Sequence, residues 1–287
     1  MHLAGPETSG LSAERSKAGR LQRALLGLWE EHRADEMLPT SGRFLFYELV
    51  VAEVVDKAMA RGHKGGRGID QDVADALMRL REVGLIPWSS ICDETRDLYM
   101  YTGARTVIEG VTALVEGVLL DPWAGPAPLM LTESRSLAGV LRPIADEYRC
   151  LVAPCGGQCG GFLRTHIGPA VGVGHPVGYL GDLDKSGADI EGNTRRVVEP
   201  YGLASWERLA LTDAQVEAYD LPVILKRDRR SDLDYPAVET EALSQRVIVQ
   251  LVRGWLDAML PEPLAVVRER EKREQDEVSA YLARWTR

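Results

Sequence analysis

The sequence predicts a mixed α/β protein with a helical N-terminal domain, a second domain built on a parallel sheet, and closing C-terminal helices. From residue 127 onwards, short apolar runs alternate with helix-like stretches, which is typical of a parallel sheet covered by helices. A stretch that contains two prolines and a glycine, residues 121–126, separates this part from an earlier part with helical periodicity. The chain of 287 residues, with 45% hydrophobic and 27% charged residues, has the composition of a globular protein.

The part before this break is predicted to be helical. The spacing of apolar residues indicates helices over residues 21–33, 42–59, 70–83 and 106–120. Gly84 is a suitable stop for the third helix, and residues 85–91 continue in an extended form. Three helices, a glycine stop and an extended piece are typical of a winged-helix or helix-turn-helix module, and a simple helical bundle fits the same pattern.

After the break, strands and helices are expected to alternate. The strands are predicted at residues 128–132, 150–154, 177–181 and 208–211, and the helices between them at 134–148, 160–167 and 186–199. Residues 226–236 form a charged connector in this prediction, and residues 239–260 and 263–285 form the closing helices. The expected organisation is a flexible tail (1–19), a helical domain (20–125), a sheet domain (126–221) and a connector with C-terminal helices (222–287).

Charge and apolar content restrict the location and the partners. No apolar run approaches the roughly 20 residues that span a membrane, and residues 1–19 lack an apolar signal core, so we expect a cytoplasmic protein without a membrane partner. The net charge of −9 argues against a protein that coats nucleic acid, although a localised basic groove is compatible with it. Three residues separate Cys155 from Cys159, where zinc ligands usually have two, and no second Cys/His pair follows, which favours structural or incidental thiols over zinc ligands.

Acidic residues follow two of the predicted strands. Asp182 and Asp184 are two residues apart in an extended segment, so their side chains face the same way. Glu133 ends the first strand, and the carboxyl ends of parallel strands meet at one edge of a sheet. Carboxylates grouped in this way suit Mg²⁺, with Mn²⁺ as the alternative metal, and indicate phosphoryl chemistry. The alternative is that Glu133 and the two aspartates serve the N-termini of the helices that follow them.

This arrangement resembles the Toprim domain of topoisomerases, primases and some nucleases. The resemblance spans about residues 127–211 and depends on the strand-end Glu133 and the Asp182–Asp184 pair. It implies that these three residues are catalytic and bind Mg²⁺. Lys185 stands where many relatives have a proline, a difference that affects the turn more than the ligands.

A second motif lies in the helical domain. The stretch from Arg43 to Tyr47 resembles the Arg-x-x-Phe/Tyr-Tyr signature in the winged-helix domain of the topoisomerase VI A subunit and the related meiotic double-strand-break protein. The order of the two domains also matches, and the chain looks most like the small A-subunit-like proteins of phages and mobile elements. The resemblance implies that Tyr47 attacks DNA and becomes linked to the 5′ phosphate, while Arg43 steadies the scissile phosphate.

The same resemblance implies particular partners. Double-stranded DNA is the expected substrate, in the nucleoid, and a homodimer is expected in which the tyrosine of one protomer works with the metal site of the other. ATP-driven strand passage would need a separate ATPase subunit, because the sequence has no Gly-rich Walker loop. The alternatives are a metal-dependent nuclease in which Tyr47 is only structural, and a DNA-binding protein without catalytic activity.

Basic residues outside these motifs are candidate DNA contacts. For any single one of them, solvated surface charge is the favoured explanation. With Arg43, the candidates are His63, Lys64, Arg67, Arg96, Lys226, Arg227 and Arg230.

Overall fold

The computed structural model describes residues 11–56, 68–92, 104, 106–156, 160–227 and 233–285. Several of the predicted DNA contacts lie outside the described residues, as does the second cysteine of the pair considered for zinc. These are His63, Lys64, Arg67, Arg96, Arg230 and Cys159.

The N-terminal part is helical, as predicted, with small differences at the ends of its helices. It contains α1 (Lys17–Ala34), α2 (Gly42–Val51), α3 (Ile69–Glu82) and α4 (Val107–Glu116). Helix α1 begins within the span expected as a tail, because the Ser16 hydroxyl accepts a hydrogen bond from the backbone of Gly19 and caps the helix. Helix α2 is shorter than predicted, since the chain turns at Glu53, where φ is 56°.

Helices α1, α2 and α3 pack around one apolar cluster. Leu25, Leu45 and Leu80 are fully buried at its centre. A single backbone bridge joins Thr40, just before α2, to Ile91 in the extended segment that follows α3. Each fully buried leucine contributes on the order of 2 kcal/mol, so the three helices form a stable unit around α2.

The C-terminal part contains the predicted parallel sheet. Its strands are β1 (Leu129–Thr132), β2 (Leu151–Pro154), β3 (Pro176–Leu180) and β4 (Ser205–Ala210), in the order β2-β1-β3-β4. Every neighbouring pair is parallel, and Leu131 of β1 lies between Ala153 of β2 and Tyr179 of β3. The alternation of short apolar runs with helical stretches therefore predicted the sheet correctly.

Helices connect the strands and cover both faces of the sheet. After β1 comes α5 (Arg135–Tyr148), and after β2 comes a continuous helical stretch of α6 (Gly160–Phe162), a π-helical turn (Leu163–Ile167) and α7 (Gly168–Val171). Helix α8 (Lys185–Val198) follows β3, and α9 (Asp213–Ala218), which was not predicted, follows β4.

The segment predicted as a charged connector is instead partly a β-hairpin. Strands β5 (Ile224–Arg227) and β6 (Asp234–Ala237) pair in antiparallel register. The alternation in β5, with Ile224 and Lys226 partly buried and Leu225 and Arg227 exposed, is that of a strand with one covered face. The high charge of this segment concealed that alternation.

The first closing helix is also shorter than predicted. After β6 come a 3₁₀ turn (Thr240–Ala242), α10 (Gln245–Asp257) and α11 (Leu264–Trp285). The hydroxyl of Ser244 accepts a hydrogen bond from the backbone of Val247 and starts α10, so Glu239 lies outside any helix. In the described part of the chain, no helix is both long and apolar enough to cross a membrane.

Helix α2 links the helical part to the sheet. Phe44 and Tyr47 belong to the apolar cluster formed by the sheet, α5 and α10, whereas Leu45 and Leu49 belong to the cluster of α1 to α3. Helix α2 also packs against the 3₁₀ turn that follows β6. Because its two faces are buried in two clusters, α2 has a fixed position relative to the edge of the sheet.

Candidate acidic site at the sheet edge

The carboxyl ends of β1 and β3 place two of the predicted acids in direct contact. The backbone N–H of Glu133 donates to the carbonyl of Leu180, which aligns the ends of the two strands. The Glu133 side chain in turn accepts a hydrogen bond of 3.1 Å from the backbone N–H of Asp182. The Glu133 carboxylate thus serves the turn after β3, and it does not cap α5, whose N-cap is Ser134.

The two carboxylate oxygens of Asp184 have different partners. One oxygen caps α8 by accepting from the backbone of Gly187 at 2.7 Å, and the other lies 2.8 Å from the ammonium of Lys226. The capping interpretation of the aspartate pair therefore describes Asp184. Gly187 is needed here, because a Cβ atom at this position would lie 2.3 Å from the carbonyl oxygen of Asp182.

The β-hairpin brings a second acidic segment to the same edge. Leu183 and Val238 exchange backbone hydrogen bonds of 2.9 and 3.1 Å, which places the residues after β6 beside the Asp182–Asp184 turn. Asp182 accepts hydrogen bonds from the backbone and the hydroxyl of Thr240 at 2.9 and 3.1 Å. Glu239 and Glu241, on either side of Thr240, thereby join the site.

Arg43 and Tyr47 reach this second segment from α2. They are four residues apart and lie on one face of the helix. The Arg43 guanidinium contacts Glu239 at 2.7 Å and Glu241 at 3.2 Å, and the Tyr47 hydroxyl donates to the same Glu239 oxygen that Arg43 contacts. Arg43 and Tyr47 therefore contact the Glu239–Glu241 segment, and this segment neighbours Asp182 of the same chain through Thr240.

Glu241 is the most deeply buried acid of the site. Its side chain is 0% exposed, and one oxygen is shared between Arg43 and, at 3.4 Å, the hydroxyl of Ser136. The other oxygen has no hydrogen-bond partner among the described residues. A buried carboxylate oxygen without a partner is costly, so a donor or a cation at this position would stabilise the site.

Lys226 lies between the two acidic segments. Its ammonium is 2.8 Å from Asp184 and 3.5 Å from Glu239. The sequence interpretation made Lys226 a DNA contact, whereas here its charge is paired with acids of the same chain. Arg227, the next residue in β5, is exposed.

The crowding of acids changes the protonation of several groups. Burial raises the pKa of Glu133 to about 7, and the neighbouring Asp182 acts in the same direction. Burial also raises the pKa of Glu241 against the opposing effect of Arg43. The pKa of Tyr47 is raised by burial and by its hydrogen bond to Glu239, so the hydroxyl is neutral at physiological pH.

The pKa values of the two cations at the site, Arg43 and Lys226, are also raised, which favours their charged forms. Burial by itself would lower the pKa of Arg43 and of Lys226, but the surrounding carboxylates outweigh it and raise both values. Both side chains are therefore charged at any physiological pH. They balance part of the negative charge of the site.

Arg208 of β4 fixes the backbone that carries Asp182. Its guanidinium donates to the carbonyls of Gly181 and Asp182 at 2.9 and 2.8 Å and to the carbonyl of Leu211 at 2.7 Å. It also pairs with Glu191 of α8. Three carbonyl contacts from one rigid guanidinium hold the strand exit in place. The sequence interpretation did not include this residue, because nothing in its local pattern marks it.

The side chains at this edge of the sheet are of the chemical type that binds a hard divalent cation, because they offer carboxylate oxygens. Within the described ranges, five carboxylates surround the edge: Glu133, Asp182, Asp184, Glu239 and Glu241. No group of three or more His, Cys, Asp or Glu side chains in these ranges is arranged as a ready metal site. The acids are instead occupied by Lys226, Arg43 and backbone donors. A cation would bind here by replacing one of these internal partners.

Glu239 and Glu241 were not singled out from the sequence, although a signal was present. They repeat the spacing of Asp182 and Asp184, with two acids two residues apart shortly after an apolar stretch. The candidates Cys155 and Arg227 lie outside this cluster, with Cys155 fully buried in the core on the other face of the sheet.

Comparison of the chain with protein-family models, with curated proteins and with solved structures found no match.

Proposed function

We propose that this protein cleaves double-stranded DNA by a divalent-cation-dependent transesterification in which Tyr47 is the nucleophile. The observation that carries this proposal is the convergence of the Tyr47 hydroxyl and the Arg43 guanidinium on Glu239, beside Asp182. Such a reaction needs a phenol, a cation that binds phosphate and a base, and here these three groups are in contact.

Each group has a defined part in the reaction. The Tyr47 oxygen forms a bond to phosphorus while the bond from phosphorus to the 3′ oxygen breaks, which leaves a 5′-phosphotyrosine link and a 3′ hydroxyl. Glu239 accepts the phenol proton, since it already accepts the hydrogen bond of Tyr47, and water supplies the proton of the 3′ oxygen. Arg43 binds the phosphate oxygens through its guanidinium.

The acids of the sheet edge are the proposed metal ligands. Glu133, Asp182 and Asp184 would hold Mg²⁺ or Mn²⁺, and the unpartnered oxygen of Glu241 adds a fourth candidate donor. A cation bound there would neutralise phosphate charge and stabilise the attacking and leaving oxygens. In this proposal the sheet domain is of the Toprim type, and α1 to α3 form a winged-helix-like DNA-binding domain.

A homodimer is the proposed assembly, because cutting both strands requires two tyrosines related by a two-fold axis. A separate ATPase subunit would be needed for strand passage. Tyr47 lies beside the acids of its own chain, and we therefore propose that each protomer uses its own Tyr47 and acids, which differs from the exchange between protomers that the topoisomerase resemblance implies.

A metal-dependent nuclease is the second candidate, and the burial of Tyr47 favours it. The residue is only 4% exposed, and the pKa of its hydroxyl is raised, both of which make it a poor nucleophile until it is released. In this alternative, water attacks the phosphate, and Tyr47 only positions Glu239.

Covalent trapping distinguishes the two candidates. DNA labelled at the cleaved 5′ end should stay attached to the protein after denaturation in the presence of Mg²⁺ or Mn²⁺, and Tyr47→Phe should abolish both the attachment and the cleavage. Tyr219→Phe, which removes the same hydroxyl from an exposed tyrosine just after α9, is the matched control. Normal cleavage by Tyr47→Phe would rule out the tyrosine mechanism and leave the nuclease.

A mixing experiment tests which protomer supplies the tyrosine. Tyr47→Phe protein is mixed, under conditions of subunit exchange, with protein that carries Asp182→Asn and Asp184→Asn. If each chain uses its own Tyr47 and acids, the mixture should stay inactive. Recovery of cleavage in the mixture would show that the tyrosine acts on the site of the partner.

A further inference from the structure

Lys226 is placed where a cation is expected. Its ammonium contacts Asp184 at 2.8 Å and Glu239 at 3.5 Å, and so joins the two acidic segments. The side chain comes from β5 of the hairpin, which is not part of the parallel sheet. A positive charge held by carboxylates from two segments takes the electrostatic role of a bound metal ion.

The remaining contacts of these acids show which position is exchangeable. Asp182 is held by Thr240, and one oxygen of Asp184 is held by the N-terminus of α8. These donors belong to the backbone or to a neutral hydroxyl in packed elements. Lys226 is different. Its side chain is 40% exposed, and its ammonium lies at the end of a flexible stem of four carbons. Its ammonium is therefore the partner of these carboxylates that a second cation replaces most easily.

A second feature is the balance of charge in this group of acids. Glu241 is fully buried, and one of its oxygens has no partner among the described residues. Arg43 and Lys226 are the basic side chains paired with this group of acids in the described ranges, so the acids outnumber the cations around them. A divalent ion carries twice the charge of an ammonium and accepts several oxygen ligands at once.

We infer that Lys226 is the resident cation of the metal-free site, and that a divalent cation binds by displacing the Lys226 ammonium from Asp184 and Glu239. This competition rests on the proposed function, since it takes Asp184 to be one of the metal ligands. It explains why carboxylates suited to Mg²⁺ are not arranged as a ready metal site in the described residues. Displacement also frees a charged lysine at the edge of the site, where the scissile phosphate would lie.

Mn²⁺ binding to three proteins tests the competition. Isothermal titration with Mn²⁺ is carried out on the full-length wild type, on Lys226→Met and on the control Arg227→Met, which removes a charge from the exposed face of the same strand. Without its competitor, the site should bind Mn²⁺ about fivefold more tightly in Lys226→Met, while Arg227→Met should match the wild type. Equal or weaker binding by Lys226→Met would overturn the inference but leave the metal site intact. The absence of Mn²⁺ binding in all three proteins would overturn the inference and the proposed metal site together.

A measurement on the wild type avoids any effect of the substitution on folding. Acylation of lysines by a small reagent, read by mass spectrometry, reports how accessible each ammonium is. Mn²⁺ should increase the modification of Lys226 severalfold and leave Lys272, which is 77% exposed on α11, unchanged. If Mn²⁺ binds and the reactivity of Lys226 stays constant, the lysine is not displaced and the inference is wrong.

Discussion

The segments Asp182–Asp184 and Glu239–Glu241 both place two carboxylates two residues apart after a strand, yet they are held in different ways. In the first segment, both acids accept hydrogen bonds from backbone N–H groups, at Thr240 and at Gly187. In the second segment, the acids contact side chains, mainly Arg43. The first is therefore fixed by the main chain, and the second depends on charges that can move.

This difference indicates a division of tasks at the site. Backbone donors hold a carboxylate in one orientation, which suits a metal ligand or any other group that needs a fixed direction. Side-chain partners such as Tyr47 and Lys226 can exchange, which suits groups that take up a proton or alternate between cations. In the mechanism proposed above, Asp182 and Asp184 bind the metal, while Glu239 receives the proton of Tyr47.

Neutralising each segment in turn is the strongest test of this division. The pair Asp182→Asn and Asp184→Asn should lower divalent-cation-dependent cleavage at least on the order of a hundredfold, because the proposed metal ligands lose their charge. The pair Glu239→Gln and Glu241→Gln should cause a comparable loss, because the base of Tyr47 is removed. Cleavage is measured on labelled duplex DNA over a range of Mn²⁺ concentrations.

The two pairs should differ in how excess metal affects them. High Mn²⁺ should restore part of the activity of the Asp variant, since only affinity is weakened, and should not restore the Glu variant. Glu274→Gln with Glu277→Gln, two exposed acids of α11, is the control for loss of charge. Full activity in the Glu239 and Glu241 pair would mean that the second segment is only structural.

Within the Glu239–Glu241 segment, the two acids differ in burial, and we expect them to differ in their contribution to stability. The Glu241 side chain is 0% exposed and that of Glu239 is 14% exposed. Glu241→Ala should lower the free energy of unfolding by about 2 to 3 kcal/mol, because it leaves a cavity and removes a buried partner of Arg43. Glu239→Ala should cost about 1 kcal/mol. Urea unfolding in EDTA measures both, and a reversed order would contradict the role given to the burial of Glu241.

The parts of the fold that depend on local pattern could be predicted from the sequence. The strands β1 to β3 are apolar runs, and Glu133 and Asp182 lie within two residues of the ends of β1 and β3, so the parallel arrangement brings these acids together. Strand β4 starts at Ser205, three residues before the predicted strand, because its first half is not an apolar run. Arg43 and Tyr47 were singled out by their resemblance to a family signature, and their spacing of four positions on a helix places them on one face.

The parts that depend on distant contacts could not be predicted. Glu239 was assigned to a helix, and only the pairing of Val238 with Leu183, far away in sequence, shows that it belongs to the site. Lys226 was interpreted as a DNA contact, with solvated surface charge as the alternative, because its partners lie on different segments. Arg208 contributes through three carbonyl contacts, which no spacing of side chains records.

The dependence of stability on pH tests whether Glu133 belongs with the fixed segment. In the folded protein the pKa of Glu133 is about 7, above its ordinary value of 4.5. Between these values the folded state holds a proton that the unfolded state has lost, so this contribution to stability is complete below pH 4.5 and disappears as pH rises to about 7. Its size is on the order of 2 kcal/mol.

Urea unfolding in EDTA should show this decline in the wild type and a shallower one in Glu133→Gln, which keeps an acceptor for the Asp182 N–H. The comparison isolates Glu133, because Glu241 titrates in the same direction in both proteins. Added Mn²⁺ should cancel the decline in the wild type alone, since a bound cation favours the ionised carboxylate; a decline that is unchanged by Mn²⁺ would remove Glu133 from the metal site.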